Sequence, residues 1–420
     1  MAPDGWRDVR LDQIARIVGG GTPPRDNGVF WGGAIPWATP SDITKLRGRY
    51  ITSTGSTISG AGLQASAAAL LPSGSLLMTS RATIGACAIN EVPMATNQGF
   101  QNLVPTDSTI ALYLAYLISH RTKDLLRLAA GSTFLEISRR SVAGFSVVLP
   151  PLGEQRKIAA ILSSVDDAIE GTQAVTDQLQ VVRKAVMAEL LTRGLPGRHT
   201  RFKQTEIGEF ADEWHIRPLH EVATIFNGKA AGTGGTWLRV FKTKHVYDGN
   251  VRLLKPEYAR DDVATRVPVS TFLRPDDVLT PNMAHGTIGR VAFVPSVEDK
   301  WTVDGQVMVI RADAVALIGR FVFEWLSLPQ GRQRLLDLEK GGAFDTLRGQ
   351  THIYPKDVRE VAVPVPSIEE QLTIARCAAS FDEPLAANAD ALQALSTIKQ
   401  GLMQVLLTGE VRVTPDEVAA

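Results

Sequence analysis

An internal repeat constrains this chain more than any other feature, because a repeat missed at the outset misassigns the whole fold. The segment Phe145-Ser-Val-Val-Leu-Pro-Pro-Leu-Gly-Glu-Gln-Arg-Lys-Ile-Ala aligns with Val361-Ala-Val-Pro-Val-Pro-Ser-Ile-Glu-Glu-Gln-Leu-Thr-Ile-Ala at an offset of 216. The alignment continues without a gap to Leu190-Leu-Thr against Leu406-Leu-Thr. Identities include Pro150/Pro366, Glu154/Glu370, Gln155/Gln371, Ile158/Ile374, Asp166/Asp382 and Met187/Met403. Upstream the match is looser: Trp6-Arg-Asp-Val-Arg-Leu resembles Trp214-His-Ile-Arg-Pro-Leu, and Thr83-Ile-Gly resembles Thr287-Ile-Gly. The chain therefore reads as domain, helix, domain, helix, with the domains more diverged than the helices. That pattern suits one scaffold presenting two different surfaces.

Each copy passes from a Pro-bounded strand into a long segment without Gly/Pro clusters. Ser367-x-x-Glu370 is a capping box that marks a helix start. Positions 158, 161, 165, 168, 172, 175, 179, 182 and 186 alternate steps of three and four, the signature of a heptad seam. The expected seam residues are Ile158, Ile161, Val165, Leu179 and Val182 in the first copy and Ile374, Phe381, Leu395 and Ile398 in the second. Thr172 and Asn388 place a polar residue at the same step of both. Each helix of about 38 residues would run roughly 57 Å. The expectation is an antiparallel coiled-coil pair holding two globular domains apart. Pro384 should kink the second helix or mark a restart after Asp382.

The fold class is α+β: two pseudo-repeated globular domains of short strands and loops, separated by the two long helices. The expected divisions are 1–150, a helix over 151–205, 206–366, and a helix with its tail over 367–420. The domain loops carry side chains able to read base edges. The candidates in the first are Arg25, Ser41, Lys45, Arg47, Ser80, Arg81, Gln98, Gln101 and Arg139. In the second they are Lys229, Lys242, Lys244, Asn282, His285, Arg348 and Gln350. Arg and Lys donate to guanine, and Asn or Gln can pair bidentately with adenine. Ser80-Arg81 and Arg348-Gly-Gln350 rank first, since each lies beside a motif shared by the two copies.

Composition narrows the chemistry. Net charge is zero, yet residues 1–150 hold 13 Lys/Arg against 9 Asp/Glu, whereas 367–420 hold 3 against 8. Such a modest positive balance implies that a nucleic-acid-binding role would borrow phosphate neutralisation from a partner. Cys87 and Cys377 are too few for a disulfide framework or thiolate metal site. No apolar run approaches membrane-spanning length, and the expected location is the cytoplasm. A base-holding Pro-Pro-aromatic loop, a Gly-x-x-x-x-Gly-Lys phosphate loop and a His-x-x-x-His pair are all missing. Asp276, Glu298 and Lys300 satisfy a short Pro-Asp…Glu-x-Lys pattern found in Mg²⁺-dependent nucleases. The alternative reading of Arg274-Pro-Asp-Asp277 is a turn feeding a strand.

The layout, with Pro150-Pro-Leu-Gly-Glu-Gln-Arg-Lys-Ile158 repeated as Pro366-Ser-Ile-Glu-Glu-Gln-Leu-Thr-Ile374, resembles the specificity subunits of type I restriction-modification systems over nearly the whole chain. The resemblance implies that each domain reads one half of a split site in double-stranded DNA. It implies helices that set the gap and dock two methyltransferase (modification) subunits, with two restriction subunits added in the full complex. No cofactor is expected in this chain: S-adenosylmethionine, ATP and Mg²⁺ would sit on the partner subunits. The chain itself would be non-catalytic. The alternatives are the recognition subunit of a different, fused restriction-modification enzyme, a Mg²⁺-dependent nuclease centred on Asp276, Glu298 and Lys300, and a coiled-coil scaffold unrelated to DNA.

Overall fold

The computed structural model describes residues 3–130, 135–230, 232–247, 249–251, 255–283, 286–339 and 352–415. Two compact units form, one from Met1–Thr176 with Ala387–Ala420, the other from Asp177–Ala386. The helices that position the rest are α1 (Ala111–His120), α2 (Leu152–Arg193), α3 (Gly319–Ser327), α4 (Ile368–Ala379) and α5 (Asp382–Leu407). The first unit takes in the start of α2 and most of α5, while the second takes in the end of α2, all of α4 and the start of α5.

The α+β expectation holds in both units, and five strands of their main sheets follow one order. In the first, a five-stranded sheet runs Ala15–Gly19, Gln101–Pro105, Leu76–Met78, Cys87–Asn90, Tyr50–Ile51. In the second, Ala223–Asn227, Val307–Ala312, Val278–Pro281, Ala292–Phe293 and Gly249–Val251 take the same order, and Val246–Tyr247 adds an edge. The fourth-to-fifth pairing is parallel in both. So is a separate pairing, Trp37-Ala38 with Ala95-Thr96 and Arg239–Phe241 with Trp301–Val303. The strands leading into the helices pair antiparallel with a strand near the start of each domain, Arg7–Arg10 with Ser146–Leu149 and His215–Pro218 with Ala362–Val365. The repeat seen in sequence is thus a repeat of topology.

The shared Glu-Gln pair explains why this stretch diverged least. The Gln155 side chain is fully buried: its carbonyl accepts from Ile110 N–H (3.0 Å), and its amide donates to the carbonyls of Ser108 (3.1 Å) and Pro150 (2.9 Å). Gln371 repeats this with Ile318 N–H (2.8 Å), Ala316 (3.0 Å) and Pro366 (2.9 Å). Each amide therefore satisfies the start of a domain helix, α1 or α3, and ties it to a long helix. Glu154 accepts from the Trp6 indole (3.2 Å) and from Arg412 (2.6 and 3.0 Å). Glu370 accepts from the Trp214 indole (3.2 Å) and from His199 (2.9 Å). In each unit, then, the segment following a long helix returns a basic side chain, Arg412 or His199, to the glutamate that holds a buried tryptophan.

Helix ends follow the sequence signals. Ser367 Oγ accepts from Glu370 N–H (3.3 Å), and α4 stops at Ala379 before α5 restarts at Asp382. Pro384 sits in the first turn of α5, where its missing N–H has no intrahelical role. Within each unit the helices pack antiparallel. The end of α5 (Leu406, Leu407) shares a core with Ile158 and Leu162, and the end of α2 (Met187, Leu190, Leu191) shares one with Ile374 and Ala378.

The seam needs correction. Ile158 and Ile374 are fully buried and Ile161, Val165, Leu179, Phe381 and Leu395 partly so, but Val182 and Ile398 are 40% and 51% exposed. Along α2 the buried stripe instead runs Ile158, Leu162, Thr176, Met187, Leu191, with half-buried Asp166, Ile169, Gln173 and Arg183 between. That is the 3.6-residue period of a straight helix, and a strict heptad drifts about 20° per repeat from it, enough to displace the face by nearly one residue across the helix.

The second glutamate pair also makes a pH prediction. Burial alone would lower the pKa of His199, but its hydrogen bonds to Glu370 and Glu213 outweigh burial and hold it above the ordinary value. Such a histidine adds stability that is fully present below its unfolded pKa of roughly 6.5 and is lost as pH rises through the higher folded value. Calorimetric unfolding of the whole chain should therefore show stability falling above about pH 6.5. His199→Gln should flatten that fall, and an unchanged pH slope in the variant would remove His199 as its cause.

Candidate nucleic-acid interface

In the first unit, five loops that are distant in sequence meet around Thr96–Gln101. Gly21 N–H donates to Thr96 O (2.9 Å), Asn97 N–H to Ala38 O (3.0 Å), and Ser80 N–H to Gly99 O (2.7 Å). Ile137 N–H donates to Ser80 O (3.0 Å), bringing in the segment before Arg139. The Thr22 hydroxyl bonds Gln98. Gly20 is required here, since a Cβ would lie 1.9 Å from Asn97 O. The backbone forms the frame, and side chains project from it.

The second unit builds the same frame from different residues. Gly228 N–H donates to Val307 O (3.1 Å), Asp304 N–H to Phe241 O (3.0 Å), Asn282 N–H to Gln306 O (3.0 Å), and Ile353 N–H to Asn282 O (2.9 Å). A Cβ on Gly228 would lie 1.9 Å from Val303 O, so Gly228 does the work of Gly20. Asn282 stands where Ser80 does, and Asp304–Gln306 where Asn97–Gly99 does. Thr39 N–H donates to the Asp42 carboxylate (2.7 Å) at the head of a short turn, and Lys242 N–H donates to His245 Nδ1 (2.9 Å) at the matching turn. Bonds from Thr39 and Gly55 outweigh burial and keep the Asp42 carboxyl below its usual range, whereas burial and neighbouring Lys244 push the His245 pKa down.

The sequence candidates divide into projecting side chains and frame. Arg25, Ser41, Lys45, Gln98 and Arg139 are exposed, the Arg25 guanidinium lying 5.9 Å from the Trp31 ring centre, whereas Arg47, also exposed, lines a cavity with Tyr116 and with Asp166 and Glu170 of α2. Arg81 is half-exposed and ion-paired to Glu136 (2.9 Å). Gln101 is partly buried, and Ser80 is fully buried with an unpartnered hydroxyl, so it is part of the frame. In the second cluster Lys229 and Lys244 are exposed and Lys242 partly so. Asn282 is buried, its amide donating to Asn227 Oδ1 (3.1 Å) and Gly305 O (2.8 Å), which makes it frame as well. His285, Arg348 and Gln350 lie outside the described residues. Sequence reasoning missed Glu257, which ion-pairs with both Lys242 (2.9 Å) and Lys244 and whose carboxyl those lysines push down to about 2. No spacing rule joins Glu257 to the lysine loop, since the two meet only through strand pairing.

A second set of charges ties each domain to its helices. Asp166 on α2 accepts from Arg49 (2.9 Å) and Tyr116 (2.7 Å) and pairs with Lys399 on α5, with Arg49 stacked 4.0 Å over the Tyr116 ring. These bonds outweigh burial and hold its carboxyl below the usual range. In the second unit Glu324 on α3 accepts from Arg183 on α2 (2.7 and 2.8 Å), and Arg320 donates to Asp382 (2.7 and 3.1 Å). Arg49 is therefore structural, although it neighbours Arg47.

The nuclease pattern does not assemble. Asp276 accepts from the Gly319 and Arg320 N–H groups (2.7 and 3.0 Å) at the head of α3, Glu298 is exposed, and the Lys300 ammonium lies 5.4 Å from the Trp237 ring centre. Arg274–Asp277 is the turn expected as the alternative, with Asp276 at φ +74° where the first unit has Gly74 at φ +81°. Among the described residues no group of three or more His, Cys, Asp or Glu side chains could hold a metal ion, and no helix is long and apolar enough to cross a membrane.

The division between frame and projecting side chain is testable by stability alone. Asn282→Ala should cost about 1–3 kcal/mol by orphaning buried partners, while Arg25→Ala and Arg139→Ala should stay within about 0.5 kcal/mol of wild type. Urea unfolding measures both, and equal effects in the two classes would contradict the division.

Comparison with known proteins bears on all of this. Residues 3–181 match the family model of the type I restriction modification DNA specificity domain. The type I restriction enzyme MjaIX specificity subunit of Methanocaldococcus jannaschii is 30% identical over 54% of this chain, and the match spans 54% of that relative's own length. The MjaVIII specificity subunit of the same organism is 24% identical over 72% of this chain and 70% of its own. The crystal structure of a type I restriction-modification S subunit from M. genitalium superposes with a TM-score of 0.58 over 96% of both chains at 14% identity, a likeness of fold. Residues 3–181 are thus similar to the type I restriction modification DNA specificity domain, the chain spans about half the length of the first of these relatives, and the likeness of fold extends over nearly the whole chain.

Proposed function

We propose that this chain is the DNA-reading subunit of a type I restriction-modification complex in the cytoplasm, each unit's loop cluster reading one half of a bipartite target. The observation that carries the reading is the frame built twice from backbone hydrogen bonds with different side chains on it: Thr39 and Ser41 in one, Lys242 and Lys244 in the other. A binding scaffold with two specificities needs this arrangement, because the backbone fixes position and the side chains carry the sequence information. The long helices set the gap between half-sites and dock two methyltransferase subunits. Two restriction subunits join in the full complex. The chain is non-catalytic and holds no cofactor; S-adenosylmethionine, ATP and Mg²⁺ act on the partners.

Co-expression with a type I methyltransferase subunit from the same genome, followed by direct mapping of methylated adenines, tests the proposal. The expected result is a single split motif that disappears when this chain is omitted. An active methyltransferase that binds this chain yet methylates without sequence preference would defeat it.

A further inference from the structure

The corner of the frame at Lys242–His245 differs in charge from its counterpart. In the first unit Trp37 N–H donates to Ser56 O (3.0 Å), and in the second Val240 N–H donates to Glu257 O (2.8 Å), so Ser56 and Glu257 occupy matching places. The first corner then holds hydroxyls, Thr39, Ser41 and Ser56, with Asp42 accepting from the backbone of Thr39 and Gly55 and from the Thr39 hydroxyl (2.6 Å). The second holds two lysines on one carboxylate. Side-chain exposures are 31% for Lys242, 55% for Lys244 and 23% for Glu257, so the carboxylate is the least exposed of the three. Each ammonium has three donors, and an ion pair with Glu257 engages only one of them.

We propose that Lys242 and Lys244, fixed by Glu257, are the specificity-determining pair of the second unit and that the base they select is a guanine. The inference rests on the proposed DNA-reading function. An ammonium pair offers donors and no acceptor, and guanine alone presents two acceptors, O6 and N7, on its major-groove edge. Glu257 acts as a positioning residue in two ways. It holds flexible lysine stems in one geometry, and it withholds their charge from phosphates, which would otherwise attract them regardless of sequence. The hydroxyl corner of the first unit, able both to donate and to accept, carries no such restriction.

The test uses the full chain in complex with its methyltransferase, comparing wild type, Glu257→Gln and Lys244→Gln. Methylation mapping of wild type should give a guanine in one half-site at which both variants lose discrimination by roughly ten- to a hundredfold, with the other half unchanged. Binding to a duplex lacking the motif should become steeper in salt for Glu257→Gln, by about 1 to 2 in log–log slope, because two lysines are released to phosphates. Lys244→Gln should not steepen it. A purely structural Glu257 would weaken reading at every position of that half-site rather than at the guanine alone, and would leave the salt slope unchanged. If Glu257→Gln methylates nothing, Lys244→Gln decides the matter. A wild-type split motif that both variants read with unaltered stringency, or one with no guanine in the affected half, overturns this inference and leaves the DNA-reading function standing. No split motif in wild type removes that function itself.

Discussion

The buried amides of Gln155 and Gln371 are the interaction on which the rest of each unit depends. Each satisfies the N–H at the head of a domain helix and two carbonyls, one from the strand end that leads into the long helix. Three backbone groups that would otherwise be stranded in the core are paired by one side chain, and losing it would cost several kcal/mol. The adjacent glutamate anchors the tryptophan at the start of the domain. Domain and helix are thereby locked at one point, and every loop inherits its placement from that lock.

Such a lock frees the loops to vary. The frame around Thr96–Gln101 and Asp304–Gln306 is made of backbone bonds and of glycines whose Cβ would collide, so most side chains on it are released from structural duty. Where a side chain does serve the frame, as Ser80 and Asn282 do, it is buried. The stronger divergence of the domains than of the helix starts follows directly: Lys242 takes the place of Thr39 without a change of fold.

Much of this was legible in the sequence. The offset of 216 between Glu154-Gln155 and Glu370-Gln371 exposed the duplication, and Ser367 and Pro384 marked helix boundaries that the structure keeps. The candidate loops stand out by residue type, and Ser80 and Gln98 in one unit and Asn282 in the other lie in the hydrogen-bonded loop frame. Legibility ended where distant contacts decide. Nothing local distinguishes Asn282, whose amide is spent on Asn227 and Gly305, from an asparagine free to meet a base. Glu257 was invisible because only strand pairing brings it to Lys242. The heptad template failed at Val182 and Ile398 because these helices pack on their domains as well as on each other, keeping the straight-helix period.

The central claim is that the two units carry one frame and two independent readers. The most direct measurement replaces residues 206–366 with the corresponding domain of a relative of known, different target and maps adenine methylation by the assembled complex. The account predicts that one half of the split motif changes to the relative's half while the other half and the gap stay as they were. A swap that altered both halves together would show that the units do not read DNA independently, and would contradict the account.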